Sequence, residues 1–171
     1  SIAGIASGGF QNVHGGGNLD AFLIKFDLNG TRIWATYYGS NGFDEGYSCC
    51  IDGNENVYLA GLTSSTTGIA SGGFKNTFGG TYDAFLVKFN SSGSRLWATY
   101  YGGNADDLGY ACCVDGIGNV YLAGYTESTA GISSAGFQNT YGGGIFDAFL
   151  VKLDSSGSRL WATYYGSNHE E

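Results

Sequence analysis

Seven lysines and arginines stand against fifteen aspartates and glutamates in this chain, a formal net charge of −8 over 171 residues. Phosphate backbones require clustered Lys and Arg, and the seven basic residues are scattered, one per strand or loop. Nucleic acid is therefore excluded as an expected partner, and a solvated acidic surface is expected instead. No run approaches the ~18–20 apolar residues of a membrane-crossing helix, so no membrane span is expected. No heptad and no sustained 3.6-residue pattern occurs, so helices should be scarce. Methionine is missing altogether and the first residue is Ser1. The chain is accordingly expected to be a processed or excised piece, or part of a longer chain, from which any secretory signal would already be lost. A Gly-x-Ser-x-Gly elbow, a phosphate loop and a His-Glu-x-x-His motif are all missing. No catalytic residue and no cofactor is expected.

What is present is glycine, 31 residues of it, with 16% aromatics and no proline. Abundant Gly with Tyr, Phe, Val and Thr suits short strands joined by tight turns. Three near-identical stretches run through the chain: Asp20-Ala21-Phe22-Leu23, Asp83-Ala84-Phe85-Leu86 and Asp147-Ala148-Phe149-Leu150. Each is followed by Trp-Ala-Thr-Tyr-Tyr-Gly, starting at Trp34, Trp97 and Trp161, at steps of 63 and 64 residues. Such self-similarity marks a chain whose role depends on how its units stack.

Each unit reads as four strands. In the last, these are Gly109–Asp115, Asn119–Tyr125, Asp147–Leu153 and Arg159–Tyr165. Within Asp83–Phe89, Phe85, Val87 and Phe89 share one face while Ala84, Leu86 and Lys88 share the other. Both faces are largely apolar, as in a sheet held between neighbouring sheets. Asp27-Leu28-Asn29-Gly30, Asn90-Ser91-Ser92-Gly93 and Asp154-Ser155-Ser156-Gly157 suit type I turns closed by a left-handed Gly. Four short antiparallel strands buried on both faces describe a propeller blade.

Gly109–Gly124, the Asp-Ala-Phe-Leu-Val-Lys stretch and Arg-Leu-Trp-Ala-Thr-Tyr-Tyr-Gly together resemble the bacterial β-propeller repeat called the SBBP repeat. The resemblance covers nearly the whole chain. It implies a propeller-type fold in secreted or cell-surface proteins, mostly of unassigned function. It also implies that Gly109–Asp115 is the innermost strand and that Trp161 lies on the outermost. The sequence departs at Cys49-Cys50 and Cys112-Cys113, where the family usually has small or branched apolar residues.

The register divides the chain into a partial unit over 1–45 (a long loop and two outer strands) and full blades over 46–108 and 109–171. The fold class expected is all-β, with tandem four-stranded antiparallel propeller-type blades, about two and a half units and ten strands. Closed propellers need roughly four to eight blades, so one chain cannot close. A fragment of a larger propeller, assembly with other copies, and an open array all remain. Repeated faces at both ends favour head-to-tail contact.

About twenty residues connect the second and third strands, a length that tends to be functional. Ile69, Phe74 and Phe78 recur as Ile5, Phe10 and Val13 or His14, and as Ile132, Phe137 and Tyr141. The connection either packs down as an edge or extra hairpin, or forms a loop contact surface of Phe10, Phe74, Phe78, Phe137 and Tyr141. Strand alternation points the two cysteines of each pair to opposite faces. Cys49, Cys50, Cys112 and Cys113 are thus candidates for inter-blade or inter-subunit disulfides, against free thiols acting as small apolar residues. Zinc is disfavoured, because the usual gap between cysteines is missing and His14 and His169 lie far off; no metal is expected. Asp44-Glu45, Asp106-Asp107 and Glu170-Glu171 recur in the turn before each first strand, and Asp20, Asp83 and Asp147 before each third. A carboxylate copied in every repeat suits turn and strand-end hydrogen bonding better than calcium binding or a catalytic pair. Sequons at Asn29 and Asn90 fall in hairpin turns.

The reading that follows is a non-enzymatic, extracellular or cell-surface structural protein whose blades stack head to tail on other copies of itself, reaching filaments in the limit. The alternative is a secreted binding module, a piece of a larger closed propeller, holding a glycan or a surface protein.

Overall fold

The computed structural model describes residues 4–168. Among them are ten strands and no helix: β1 Ala21–Phe26, β2 Arg32–Tyr38, β3 Asp44–Ile51, β4 Val57–Thr63, β5 Asp83–Phe89, β6 Arg95–Tyr101, β7 Asp107–Val114, β8 Val120–Thr126, β9 Asp147–Leu153 and β10 Arg159–Tyr165. They form three antiparallel sheets, β1-β2, β3-β4-β5-β6 and β7-β8-β9-β10, not closed into a barrel. The all-β, two-four-four arrangement is the one expected from the repeat. The third-to-fourth hairpins close as expected: Gly30, Gly93 and Gly157 have φ of +76°, +84° and +87°. In each, the glycine N–H donates to the carbonyl of the Asp or Asn that opens the turn.

The core lies between successive sheets. Leu23 and Trp34 of the first sheet pack with Leu59, Phe85, Val87 and Phe89 of the second. Tyr58, Leu86 and Trp97 of the second pack with Leu122, Phe149 and Val151 of the third. Burial therefore depends on neighbours rather than on sequence. All seven residues of β5, Asp-Ala-Phe-Leu-Val-Lys-Phe, are buried, because both faces are covered. β9, nearly the same sequence, alternates buried and half-buried, because only one face is covered.

Two expectations shift. The first strands begin at Asp44 and Asp107, not after them. Both aspartates are fully buried strand residues rather than turn residues. Each accepts from two hydroxyls of its own blade, Thr63 and Ser65 for Asp44, Thr126 and Ser128 for Asp107. Those bonds hold the chain extended two residues earlier than its turn-like composition suggests. The equivalent Glu170-Glu171 lies outside the described residues, as does His169.

The long connections pack as edges. Ser71 and Ala98 exchange both backbone hydrogen bonds at 2.9 Å, as do Ser7 and Ala35, and Ser134 does so with Ala162 at 2.9 and 2.8 Å. Each connection thereby covers the outer edge of its blade's fourth strand, satisfying groups an exposed edge would leave open. Ile69 and Ile132 are fully buried beneath it.

Candidate functional site

The same set of contacts recurs at both blade junctions. Each donor lies on the fourth strand of one blade, and each acceptor is a main-chain carbonyl of the next. The indole N–H of Trp34 donates to the Ser91 carbonyl at 3.0 Å, and that of Trp97 to the Ser155 carbonyl at 3.0 Å. Tyr38 and Tyr101 donate their hydroxyls to the Ile69 and Ile132 carbonyls, both at 2.5 Å. The Arg95 guanidinium lies 4.4 Å from the Phe10 ring centre, and that of Arg159 lies 4.2 Å from Phe74. Such stacking adds attraction between cation and ring face.

Glycine makes the junction tight. A Cβ on Gly93 would meet the Trp34 ring at 2.9 Å, and one on Gly157 would meet the Trp97 ring at 2.8 Å. These turn glycines thus serve twice, adopting positive φ and admitting an indole. Gly30, the equivalent in the first blade, has nothing within 4 Å of its Cβ position.

The ends of the described chain carry the two unmatched halves of this junction. At one end, Phe137 is 87% and Tyr165 67% exposed, and Leu150, Trp161 and Thr163 line an open recess beside Phe137. At the other, Gly30 is open, and the Arg32 guanidinium donates to the Ile5 carbonyl, as Arg95 does to Ile69. No aromatic ring among the described residues stacks on Arg32.

Of the five aromatics expected in the connections, Phe10 and Phe74 thus sit at junctions and Phe137 is exposed. Phe78 and Tyr141 pack edge-on within their own blades, against Tyr100 and Tyr164. The sequence does not mark the Trp, Tyr, Arg and Gly of the junction as contact residues. The signal it carries for them is their recurrence in Gly-x-Arg-x-Trp-Ala-Thr-Tyr-Tyr.

A carboxylate pair bridges each junction at the ends of the strands. A Cβ on Gly102 would lie 2.8 Å from Asp83 and 2.6 Å from Asp107; one on Gly39 would lie 2.5 Å from Asp20 and 2.8 Å from Asp44. The Lys75 ammonium serves the middle copy, bonding Asp83 at 2.9 Å and the Gly102 carbonyl at 2.7 Å. Gln11 and Gln138 replace it in the other copies, each followed by three glycines rather than two. There Asp20 Oδ1 and Asp147 Oδ1 are buried with no hydrogen-bond partner. His14 Nε2 approaches Asp20 Oδ1 only to 3.7 Å, while its Nδ1 accepts from the Gly16 N–H. Among the described residues no three His, Cys, Asp or Glu side chains converge as metal ligands.

The cysteines divide by face. Cys50 and Cys112 meet across the second junction, while Cys49 and Cys113 are exposed; all four are free thiols.

No family model matches the chain. Over 180 aligned residues, 87% of the chain, it is 24% identical to an uncharacterized WD repeat-containing protein of Acanthamoeba polyphaga mimivirus. The chain spans 13% of that protein's length. Together with the four-stranded sheets, this likeness supports a β-propeller-type repeat.

Proposed function

We propose that the chain is a non-enzymatic structural module, of the SBBP type and acting outside the cell, whose blades stack head to tail on further copies. One observation carries this reading. A junction used twice within the chain has its donor half open at Trp161, Phe137 and Tyr165, and its acceptor half open at Gly30, Arg32 and Ile5. In the stacked pair, Trp161 lies over Gly30 and donates to the Leu28 carbonyl. Phe137 stacks on Arg32, and the Tyr165 hydroxyl meets the Ile5 carbonyl. The surface match is heterologous, so growth continues unless the rotation closes a ring.

Sedimentation from about 1 to about 100 µM tests the reading. Mass should rise with concentration, and Trp161→Ala with Phe137→Asp should weaken association at least about tenfold, as loss of buried aromatic anchors does. A chain that stays monomeric at the highest concentration refutes it, and negative-stain microscopy would then show only small uniform particles.

A further inference from the structure

Cys50 and Cys112 come from the first strands of the two complete blades, and β3 and β7 pack face to face. Their sulfurs are 3.6 Å apart. Cys112 is buried, Cys50 half-buried. The Cys50 S–H donates to the Cys112 sulfur. The Cys112 S–H in turn donates to the hydroxyl and carbonyl oxygens of Ser48, each 3.7 Å away, and the same Ser48 hydroxyl oxygen accepts the Cys112 backbone N–H at 3.1 Å. Donation by Cys50 holds the Cys112 thiol below its ordinary range, helped by Ser48, and the same bond pushes Cys50 up. The pair is thus asymmetric, Cys112 releasing its proton more readily than Cys50. Adjacent strand residues face opposite ways, so neither Cys49 nor Cys113 competes for this position.

We propose that Cys50 and Cys112 form a reversible disulfide that staples the two complete blades together, leaving Cys49 and Cys113 as thiols. A small disulfide oxidant such as glutathione disulfide supplies the electron acceptor. The Cys112 thiolate attacks one of its sulfurs, the oxidant's S–S bond breaks, and one glutathione leaves as thiolate. Cys50 then loses its proton to solvent and attacks the Cys112 sulfur, expelling the second glutathione. Two protein thiols are oxidised, one S–S bond forms and one oxidant disulfide is reduced to two thiols. The proposal holds whether or not copies stack, because both cysteines lie within one chain.

Two complementary double variants test it on the full chain. Cys49→Ser/Cys113→Ser, treated with glutathione disulfide, should lose both remaining thiols and stay a monomer in denaturant. Its melting temperature should rise by about 5–10 °C, reversed by dithiothreitol, as closure of a long loop stabilises a domain of this size. Cys50→Ser/Cys112→Ser should keep both thiols free of any intramolecular link. A Cys49–Cys113 link in that second variant overturns the assignment. So does persistence of both thiols in the first, or peptide mapping of the native chain that finds Cys49–Cys50 or Cys112–Cys113 bonds.

Discussion

Asp107 shows how one side chain can make the fold sensitive to pH. It is fully buried at the first position of β7. Burial pushes its carboxyl up to about 6, the nearby Asp83 adds to this, and bonds from Thr126, the Gly103 N–H and Ser128 offset part of it. Asp20 is raised in the same direction, again chiefly by burial. Between about pH 4 and 6 the folded chain holds a proton the unfolded chain has released, so stability falls as pH rises through that window. The cost at pH 7 is on the order of 2–3 kcal/mol for Asp107. The melting temperature should therefore rise as pH drops from 7 to about 5, and Asp107→Asn should flatten that slope; an unchanged slope in the variant would remove Asp107 as the cause. Below about pH 4 the trend reverses. Asp115 and Asp154 are lowered, first by hydrogen bonds from the Asn119 and Ser156 side chains, and that contribution is lost as they protonate. These roles were only partly legible in sequence. Asp before a strand reads as a turn former, and the hydroxyls of Thr63, Ser65, Thr126 and Ser128 that pull it inside come from another strand or the loop beyond it.

At the scale of strand and turn, alternation and turn chemistry located all ten strands, because those signals are local. The packing of the long connections was open between an edge and a contact surface, since the loop's pairing partner is a strand about 25 residues away in sequence. Which face of a blade is covered was also not local, as β5 and β9 show. The turn glycines separate the two demands. Within a single, unassociated chain Gly157→Ala forces both a left-handed Ala and a Cβ into the Trp97 ring, whereas Gly30→Ala meets only the first. The expected loss of stability is about 1 kcal/mol for Gly30→Ala, from the backbone alone. Gly157→Ala should cost at least about 1–2 kcal/mol more, from overpacking. Urea denaturation of the two variants measures the difference, and equal losses would show that the indole contact carries no weight.

For the whole molecule, the proposed stacking through unlike faces makes a sharp arithmetic. A chain blocked at its tail by Gly30→Val/Arg32→Glu keeps its donor face, and one blocked at its head by Trp161→Ala/Phe137→Asp keeps its acceptor face. Each alone should be monomeric, and a mixture should yield a one-to-one dimer that grows no further. Light scattering of the mixture reads this directly, and larger species would mean another contact exists. The repeat in the sequence announced that like units pack on one another. It could not show which side chains meet between units, because the junction brings together residues about 30 to 85 positions apart. The indole and phenol donors of the junction all meet main-chain carbonyls, at Ser91, Ser155, Ile69 and Ile132. These four contacts read the path of the next blade's backbone and not the side chains on its turn: Leu28 stands where the later copies have Ser91 and Ser155. A change of side chain at these turn positions leaves that part of the coupling intact so long as the glycine stays.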